Sequence, residues 1–209
     1  MTGKEEAFTF DHVFSCPSEQ ENICNNCVHH LNNGCFEGYN AAMLTYLWPN
    51  WIWENMMGTG CALHVNPHEQ EVIPQGVLHI FNGIAARQQK TRDQDKLPPG
   101  FKINVQFMEL CNEEIPDLFS PGKDSPEPGW RSAKIHEDSQ GDIYTVGFTA
   151  KAVHNEEQVM KCLDSGALSR KTASTQMNAL SSQSYIIFTL HVKQQRVVQL
   201  NLEDSHSED

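Results

Sequence analysis

The sequence predicts an α/β fold in which helices flank a central β-sheet. Residues 101–110, FKINVQFMEL, alternate between apolar and polar side chains, as a half-buried strand does. Residues 74–89 and 155–170 place apolar side chains at helical spacing. Predicted strands and helices alternate along a chain of 209 residues that is 39% hydrophobic, enough for one domain with a packed core.

The N-terminal third predicts strand, helix and strand in that order. Residues 8–14, FTFDHVF, alternate and predict a strand. Ser18 and Glu21 form a capping-box pattern that opens a helix, and Gly34 is a plausible C-cap. Residues 39–46, YNAAMLTY, are nearly continuously apolar, which is typical of a buried strand.

The remaining elements follow from turn signals and periodicity. Asn155 is the predicted N-cap of the helix 155–170, whose apolar residues Val159, Met160, Leu163 and Leu168 form a core stripe. The other assignments are a helix at 74–89, an exposed linker at 91–100, a Pro/Gly-rich loop at 120–130, strands at 134–138, 143–153 and 184–193, and a disordered acidic tail.

Composition limits the classes of partner. The formal net charge of −12 disfavours nucleic acid and anionic membranes, because both require a basic surface. The N-terminus reads as polar rather than as a signal peptide, and no apolar run approaches the length of a membrane span. Without an export signal, the seven cysteines are interpreted as reduced cytosolic thiols.

Several short blocks occur in one order along the chain. They are FTFDHVF, GCFEGYNA, MGTG, VQFMELCNEEIPDLF, IHEDSQGDIYTVG, GALSRKTASTQMN, and SSQSY followed by IIFTLHV. Together they resemble the kinesin motor domain, most closely the fourth kinesin class, over residues 8–196. We therefore divide the chain into an N-terminal extension (1–7), a partial motor domain (8–196) and an acidic tail (197–209).

This resemblance implies an incomplete kinesin head of the P-loop NTPase type, with a mixed sheet flanked by helices. Kinesins use Mg-ATP to move along microtubules, so the resemblance implies a cytoplasmic, cytoskeletal protein with microtubules as the family partner. The charge of −12 predicts weak binding to acidic tubulin. The resemblance does not predict the oligomeric state.

The position of the phosphate-binding loop departs from the family. Aligned from GYNA, the motif YGQTGSGKT falls on residues 46–54, which here read YLWPNWIWE. Its glycines let the backbone approach phosphate, its lysine neutralises charge and its hydroxyl holds magnesium. None is present at the aligned positions Leu47, Trp48, Pro49, Asn50, Trp51, Ile52, Trp53 and Glu54. We therefore expect no bound ATP and no intact catalytic residue.

The genetic code offers a cause for this change. Leu47 to Met56 can be written as nTA TGG CCA AAC TGG ATC TGG GAA AAC ATG, and the frame shifted by one base spells Tyr-Gly-Gln-Thr-Gly-Ser-Gly-Lys-Thr. This match predicts a compensated frameshift in a kinesin gene. The alternative is that the three tryptophans form a selected apolar patch.

The first switch loop is also altered. The family motif NxxSSRSH falls on Asn178 to Tyr185, where Asn178, Ser181, Ser182 and Ser184 match. Gln183 replaces the arginine and Tyr185 the histidine, and glutamine cannot form the charge-assisted pair that the arginine makes. The second switch, DLAGSE, and the N-terminal RP strand do not occur in the sequence.

A metal site is the remaining candidate. Cys24-x-x-Cys27 with His29 and His30 has zinc-like spacing, but only Cys16 and Cys35 are available as a second pair, so no metal is predicted. The sequence therefore predicts a kinesin-like head that lacks ATPase activity. The alternatives are a non-motor interaction protein and the non-functional product of a kinesin pseudogene.

Overall fold

The computed structural model describes residues 9–15, 17–45, 71–110, 113–120, 134–174 and 185–196. The chain forms two compact units, Met1–His79 and Ile80–Asp209. Its elements are α1 (Gln20–Ile23), a π-helical segment (Cys24–Val28), α2 (His29–Glu37), α3 (Val72–Arg92), β1 (Gly100–Leu110), β2 (Lys134–Glu137), β3 (Ile143–Val146), β4 (Lys151–Val153), α4 (Glu156–Ser174) and β5 (Tyr185–Gln195). The loop at 121–130 and the tail at 197–209 lie outside the described residues.

The first helix exists, but both of its predicted ends are wrong. It begins at Gln20, after Glu19 in an extended conformation, because Ser18 is held in a turn by its N–H bond to the Ser15 carbonyl (2.9 Å). It ends at Gly38, which has φ 98°, whereas Gly34 is helical. The N–H groups of Gly38 and Tyr39 bond to the carbonyls of Cys35 and Gly34, which is a Schellman motif.

The first unit packs α2 and the π-helical segment against the start of α3. Cys24, Val28 and Val72 are buried together. Asn32 Nδ2 donates to the Gly76 carbonyl (2.9 Å), so the helices approach closely at Gly76. A Cβ atom there would lie 3.2 Å from Val28 Cγ1, which explains why glycine suits this crossing.

Two predicted strands in the first unit are wrong. Residues 9–15 form no strand, and Phe10 and Val13 are largely exposed. Residues 39–45 are irregular, with Leu44 exposed to 91%. Phe8 and Tyr46, the outer ends of these two predictions, lie outside the described residues. Apolar alternation forms a strand only where a partner strand accepts its backbone hydrogen bonds, and neither described segment has one.

The second unit contains a three-stranded sheet in the order β4-β1-β5, with β1 in the centre. Both ladders are antiparallel; Phe107 of β1 lies opposite Phe188 of β5, and Ile103 opposite Val153 of β4. The prediction of an α/β fold with helices beside a sheet is confirmed by this arrangement and by the structural similarity reported below. Every ladder in the described residues is antiparallel.

One face of this sheet, here called the inner face, forms the core with α4. Phe107 is 1% exposed and makes edge contacts with Phe119 and Phe188, at 6.0 and 5.3 Å between ring centroids. From α4, Val159 and Leu163 are fully buried, as predicted. Leu168 was predicted in the core stripe but is 67% exposed. Its turn of the helix buries Ala167 instead, so the apolar stripe is rotated by one residue.

The ends of the other elements follow local chemistry. Asn155 caps α4 as predicted, because its Oδ1 accepts from the Gln158 N–H (2.9 Å). Gly147 has φ 100° and separates β3 from β4, so the stretch 143–153 forms two strands. β2 and β3 pair as a hairpin, whose turn is held by Asp138.

Candidate nucleotide site

The structure describes one of the residues aligned with the nucleotide site. Leu47, Trp48, Pro49, Asn50, Trp51, Ile52, Trp53 and Glu54 lie outside the described residues, as do Asn178, Ser181, Ser182, Gln183 and Ser184. Tyr185 is the first residue of β5, opposite Leu110 at the end of β1, and is 59% exposed. The mutual geometry of the aligned residues therefore stays a prediction.

The residues on either side of the undescribed segment 175–184 both contact the same end of β1. Arg170, on the last turns of α4, places its Nε 3.2 Å from Glu109 Oε1 on β1. The side chains are 34% and 12% exposed. Glu109 directly precedes Leu110, the partner of Tyr185. The end of α4 and the start of β5 are thus joined to the same end of β1.

Sequence reasoning did not single out this ion pair. Arg170 lies inside the block GALSRKTASTQMN and Glu109 inside VQFMELCNEEIPDLF, so the two blocks carry the signal. Their separation of 61 residues hid the contact, because it depends on which strand lies under α4.

The zinc candidate Cys24-x-x-Cys27 lies on the π-helical segment, as expected for two cysteines on one helix. Cys24 is fully buried, and burial together with the nearby Cys27 raises the pKa of its thiol to about 11. Zinc binds the thiolate, which this environment disfavours. His29 stacks on His79, with ring centroids 4.0 Å apart, so its ring is engaged with another imidazole.

Within the ranges that the structure describes, no three His, Cys, Asp or Glu side chains are placed to hold a metal ion. The absence of a metal requirement for the whole chain stays a prediction.

The buried thiol gives a first testable expectation. At pH 7.5, Cys24 should react with N-ethylmaleimide at least about tenfold more slowly than the partly exposed Cys35, because little of it is thiolate and the reagent cannot reach it. Mass spectrometry of timed digests measures both rates, with the denatured protein as the control. Equal rates in the folded protein would contradict the burial of Cys24.

A shallow cavity of about 480 Å³ lies where β4 meets α4. Lys151, Lys161 and Cys162 contribute to its lining. Lys161 is paired with Glu157 (2.7 Å), and the Lys151 ammonium lies 4.1 Å from the centre of the Phe119 ring. Burial raises the pKa of the Cys162 thiol, and Lys151 partly opposes this effect. Both lysines thus have a partner among the described residues, and the exposed pair of Lys161 with Glu157 contributes little to stability.

Comparisons with known proteins show a consistent similarity to one family. The family profile described as the kinesin motor domain matches residues 1–207. The human kinesin-like protein KIF21B is 46% identical over 198 residues, which are 94% of this chain and 12% of that protein. The kinesin-like protein klp-12 of Caenorhabditis elegans is 39% identical over 205 residues, 97% of this chain and 12% of that protein.

A solved structure of a fast kinesin shares the fold. It superposes with a TM-score of 0.74 at 26% identity, over 90% of this chain and 48% of that chain. The chain thus spans about an eighth of the length of the curated relatives named above. Among the described helices, none combines the length and apolarity needed to span a bilayer.

Proposed function

The chain belongs to the kinesin motor domain family, and we propose that it is a kinesin-like head that neither binds nor hydrolyses Mg-ATP. Kinesins as a family use Mg-ATP for microtubule-based movement. One observation carries the proposal: residues 47–54, which align with the phosphate-binding loop, contain no glycine, no lysine and no hydroxyl. A head that cannot bind the nucleotide also has no motor activity, because phosphoryl transfer requires phosphates held in position.

The donor set at the aligned positions does not fit Mg-ATP. At the glycine positions of the motif the backbone approaches phosphate closely, and Leu47, Asn50 and Ile52 place side chains at these positions. Trp53 stands where the family has its phosphate-binding lysine. Glu54 places a carboxylate where the family has its magnesium-binding hydroxyl, and repels phosphate. These residues therefore do not fit Mg-ATP.

The first switch supports the same proposal. Gln183 has no charge to pair with a carboxylate, and Tyr185 presents an exposed phenol in place of an imidazole. A compensated frameshift accounts for residues 47–54 without a selected role for the tryptophans. The codons of the gene across Tyr46 to Met57 test this origin, since codons that cannot encode the loop in the shifted frame exclude it.

A second candidate function is a non-motor interaction protein. It is favoured by the apolar side chains of Tyr185 and Ile187 on β5, which are 59% and 42% exposed. Binding to microtubules, the partner of the family, is proposed to be weak, because the chain carries a net charge of −12.

The test is to restore the loop. The restored variant carries Leu47→Gly, Trp48→Gln, Pro49→Thr, Asn50→Gly, Trp51→Ser, Ile52→Gly, Trp53→Lys and Glu54→Thr, with Gln183→Arg and Tyr185→His. Thermal unfolding with and without 1 mM Mg-ATP, roughly 100 times a typical Kd, should show no shift for the natural chain. Ligand binding at that ratio stabilises a folded state by about 2.7 kcal/mol, so the restored variant should melt several degrees higher.

The matched control is the restored variant with Trp53→Ala in place of Trp53→Lys. It should lose most of the nucleotide-dependent shift, because the lysine neutralises phosphate charge. A shift of similar size in the natural chain would overturn the proposal.

A further inference from the structure

The cavity of about 480 Å³ where β4 meets α4, here called the β4–α4 groove, combines a strand edge with two lysines. β4 and the following His154 form one wall, and Gln158, Lys161 and Cys162 of α4 form the other. None of the described residues that line the groove is acidic, although the chain has a formal net charge of −12. We propose that the groove binds an extended acidic segment of a partner protein, which adds to the edge of β4 as a further strand.

β4 is an edge strand of the sheet that the structure describes. In the order β4-β1-β5 it pairs with β1 on one side, where Ala152 lies opposite Asn104, and no described strand pairs with its other side. Backbone N–H and C=O groups point alternately to the two sides of a strand, so the second side presents groups that another extended chain can satisfy. Ala152 is exposed and has only a methyl side chain, so an added strand can approach to the usual spacing of about 4.8 Å.

The first turns of α4 lie beside this edge. The His154 N–H, directly after β4, donates to Gln158 Oε1 (2.8 Å), so a side chain of α4 already supplies an acceptor to the backbone that continues β4. Side chains alternate between the two faces of a strand. Every second side chain of an added strand would therefore face the α4 wall of the groove.

The floor of the groove is apolar. Val153 is 3% exposed and Cys162 is 9% exposed. Burial raises the pKa of the Cys162 thiol, and the charge of Lys151 partly opposes this effect. The thiol is therefore protonated at neutral pH and behaves as a small apolar group. A side chain of moderate size, such as valine, suits this floor.

The two lysines select carboxylates on either side of that apolar residue. Lys161 pairs with Glu157, but these side chains are 69% and 67% exposed, so an incoming carboxylate can replace Glu157 at little cost. The Lys151 ammonium lies 4.1 Å from the centre of the Phe119 ring. A lysine on an edge strand disfavours pairing with an apolar strand, whereas a carboxylate at a facing position attracts it.

The strand edge distinguishes a peptide from other anions. Unpaired backbone groups along an edge are satisfied by an extended chain, as in the peptide complexes that form by strand addition. A long nucleic acid or an anionic bilayer would also meet the field of the whole chain, whose net charge is −12. A short peptide meets mainly the charges within about 8 Å at physiological ionic strength. The expected ligand therefore carries glutamate, valine and glutamate at alternate positions of an extended segment.

The experiment uses the full chain and fluorescent peptides of about nine residues, within the usual length of a strand. The first peptide has that glutamate and valine pattern with threonine at the other positions, and the second has lysine in place of glutamate. Two further peptides carry N-methyl groups on alternate backbone nitrogens, in opposite registers. Fluorescence anisotropy measures each Kd. Only one set of N–H groups can face β4, so one N-methylated peptide should bind at least about tenfold more weakly than the other.

Two double variants test the lysines. Lys151→Gln with Lys161→Gln should weaken binding of the first peptide at least about fivefold, because each lost ion pair contributes up to about 1 kcal/mol. The matched control is Lys90→Gln with Lys134→Gln, two exposed lysines outside the groove that change the net charge equally, and it should have less than about a twofold effect. Circular dichroism shows whether each variant is folded.

A measurement on the natural chain locates the peptide. Bound peptide should slow the reaction of Cys162 with iodoacetamide severalfold and leave the reaction of Cys35 unchanged, because Cys162 lines the groove and Cys35 does not. Mass spectrometry of timed digests measures both rates. This result and the comparison of the N-methylated peptides do not depend on any variant being folded.

Several outcomes would overturn the proposal. No binding up to about 1 mM of the first peptide would remove it, and equal affinity for the lysine peptide or equal loss in both double variants would assign binding to overall charge. Equal Kd values for the two N-methylated peptides would exclude strand addition. Much tighter binding by a variant ending at Arg196 would assign the groove to the chain's own acidic tail, and a dimer that the peptide dissociates would assign it to a second copy. All measurements are made without nucleotide, so failure here leaves the ATP proposal unaffected.

Discussion

Replacing Phe107 with alanine is expected to lower the free energy of unfolding by about 3 to 5 kcal/mol, the range for truncating a buried phenylalanine. The ring lies at the centre of the inner face, 1% exposed, between Phe119 and Phe188 and under α4. Its removal leaves a cavity that the two remaining rings cannot fill without leaving their rotamers. Urea denaturation followed by circular dichroism measures the change.

The matched control is Phe10→Ala, at a phenylalanine that is 68% exposed. This substitution should change stability by less than about 0.5 kcal/mol, as exposed substitutions usually do. Equal effects at the two positions would contradict the placement of Phe107 in the core.

Gly166 on α4 allows a sharper test of the same contact. A Cβ atom at this position would overlap the Phe107 ring, whose Cγ would be 3.2 Å away. Gly166→Ala should therefore destabilise the chain by about 1 to 3 kcal/mol through overpacking, although alanine favours a helix by about 1 kcal/mol. In the Phe107→Ala background the same change should be neutral or stabilising. Additive effects would show that the two residues do not touch.

Replacing Asp117 with alanine is expected to lower the free energy of unfolding by about 2 to 5 kcal/mol, since it leaves two backbone donors without their acceptor. Asp117 is 1% exposed. Its Oδ1 accepts from the Phe119 N–H (3.0 Å), and its Oδ2 accepts from the Thr149 N–H (2.8 Å). One carboxylate thus joins the turn after β1 to the segment that enters β4.

Asp138 is the matched control for Asp117. It also accepts two backbone N–H bonds, from Gln140 and Asp142, but in an exposed turn where water can replace it. Asp138→Ala should therefore lower stability by no more than about 1 kcal/mol. Urea midpoints for the two variants give the comparison, and a larger effect at Asp138 would contradict the role of burial.

Local chemistry explains the parts of the fold that the sequence predicted correctly. Residues 101–110 were recognised because alternation and burial coincide in β1, the central strand. The N-cap role of Asn155 is predictable because an N-cap side chain bonds only to the first turn of the helix that it begins. In these cases the deciding contacts are close in sequence or repeat with a fixed period.

The errors arise where distant partners decide the outcome. Residues 9–15 and 39–45 carry strand patterns, but a pattern cannot supply the neighbouring strand. Either Gly34 or Gly38 could take the left-handed conformation that ends a helix. The helix continues through Gly34 to Glu37, so Gly38 is the residue that takes it. Burial of Asp117 could not be predicted, because one of its donors lies 32 residues away.

For the candidate site, sequence blocks gave the family and the aligned positions, and the comparisons confirmed the family. The proposal that these positions do not bind phosphate rests on residue types alone, because residues 47–54 contain no glycine, lysine or hydroxyl. The ion pair of Arg170 with Glu109 could not be predicted, because it depends on which strand lies under α4.

Phosphate release from Mg-ATP, measured on the purified chain with increasing polymerised tubulin, tests most directly whether this head has lost its nucleotide chemistry. A kinesin head with an intact phosphate-binding loop serves as the positive control. We predict a rate equal to that of buffer at every tubulin concentration. A rate that rises with tubulin and saturates would contradict the claim that residues 47–54 cannot hold the nucleotide.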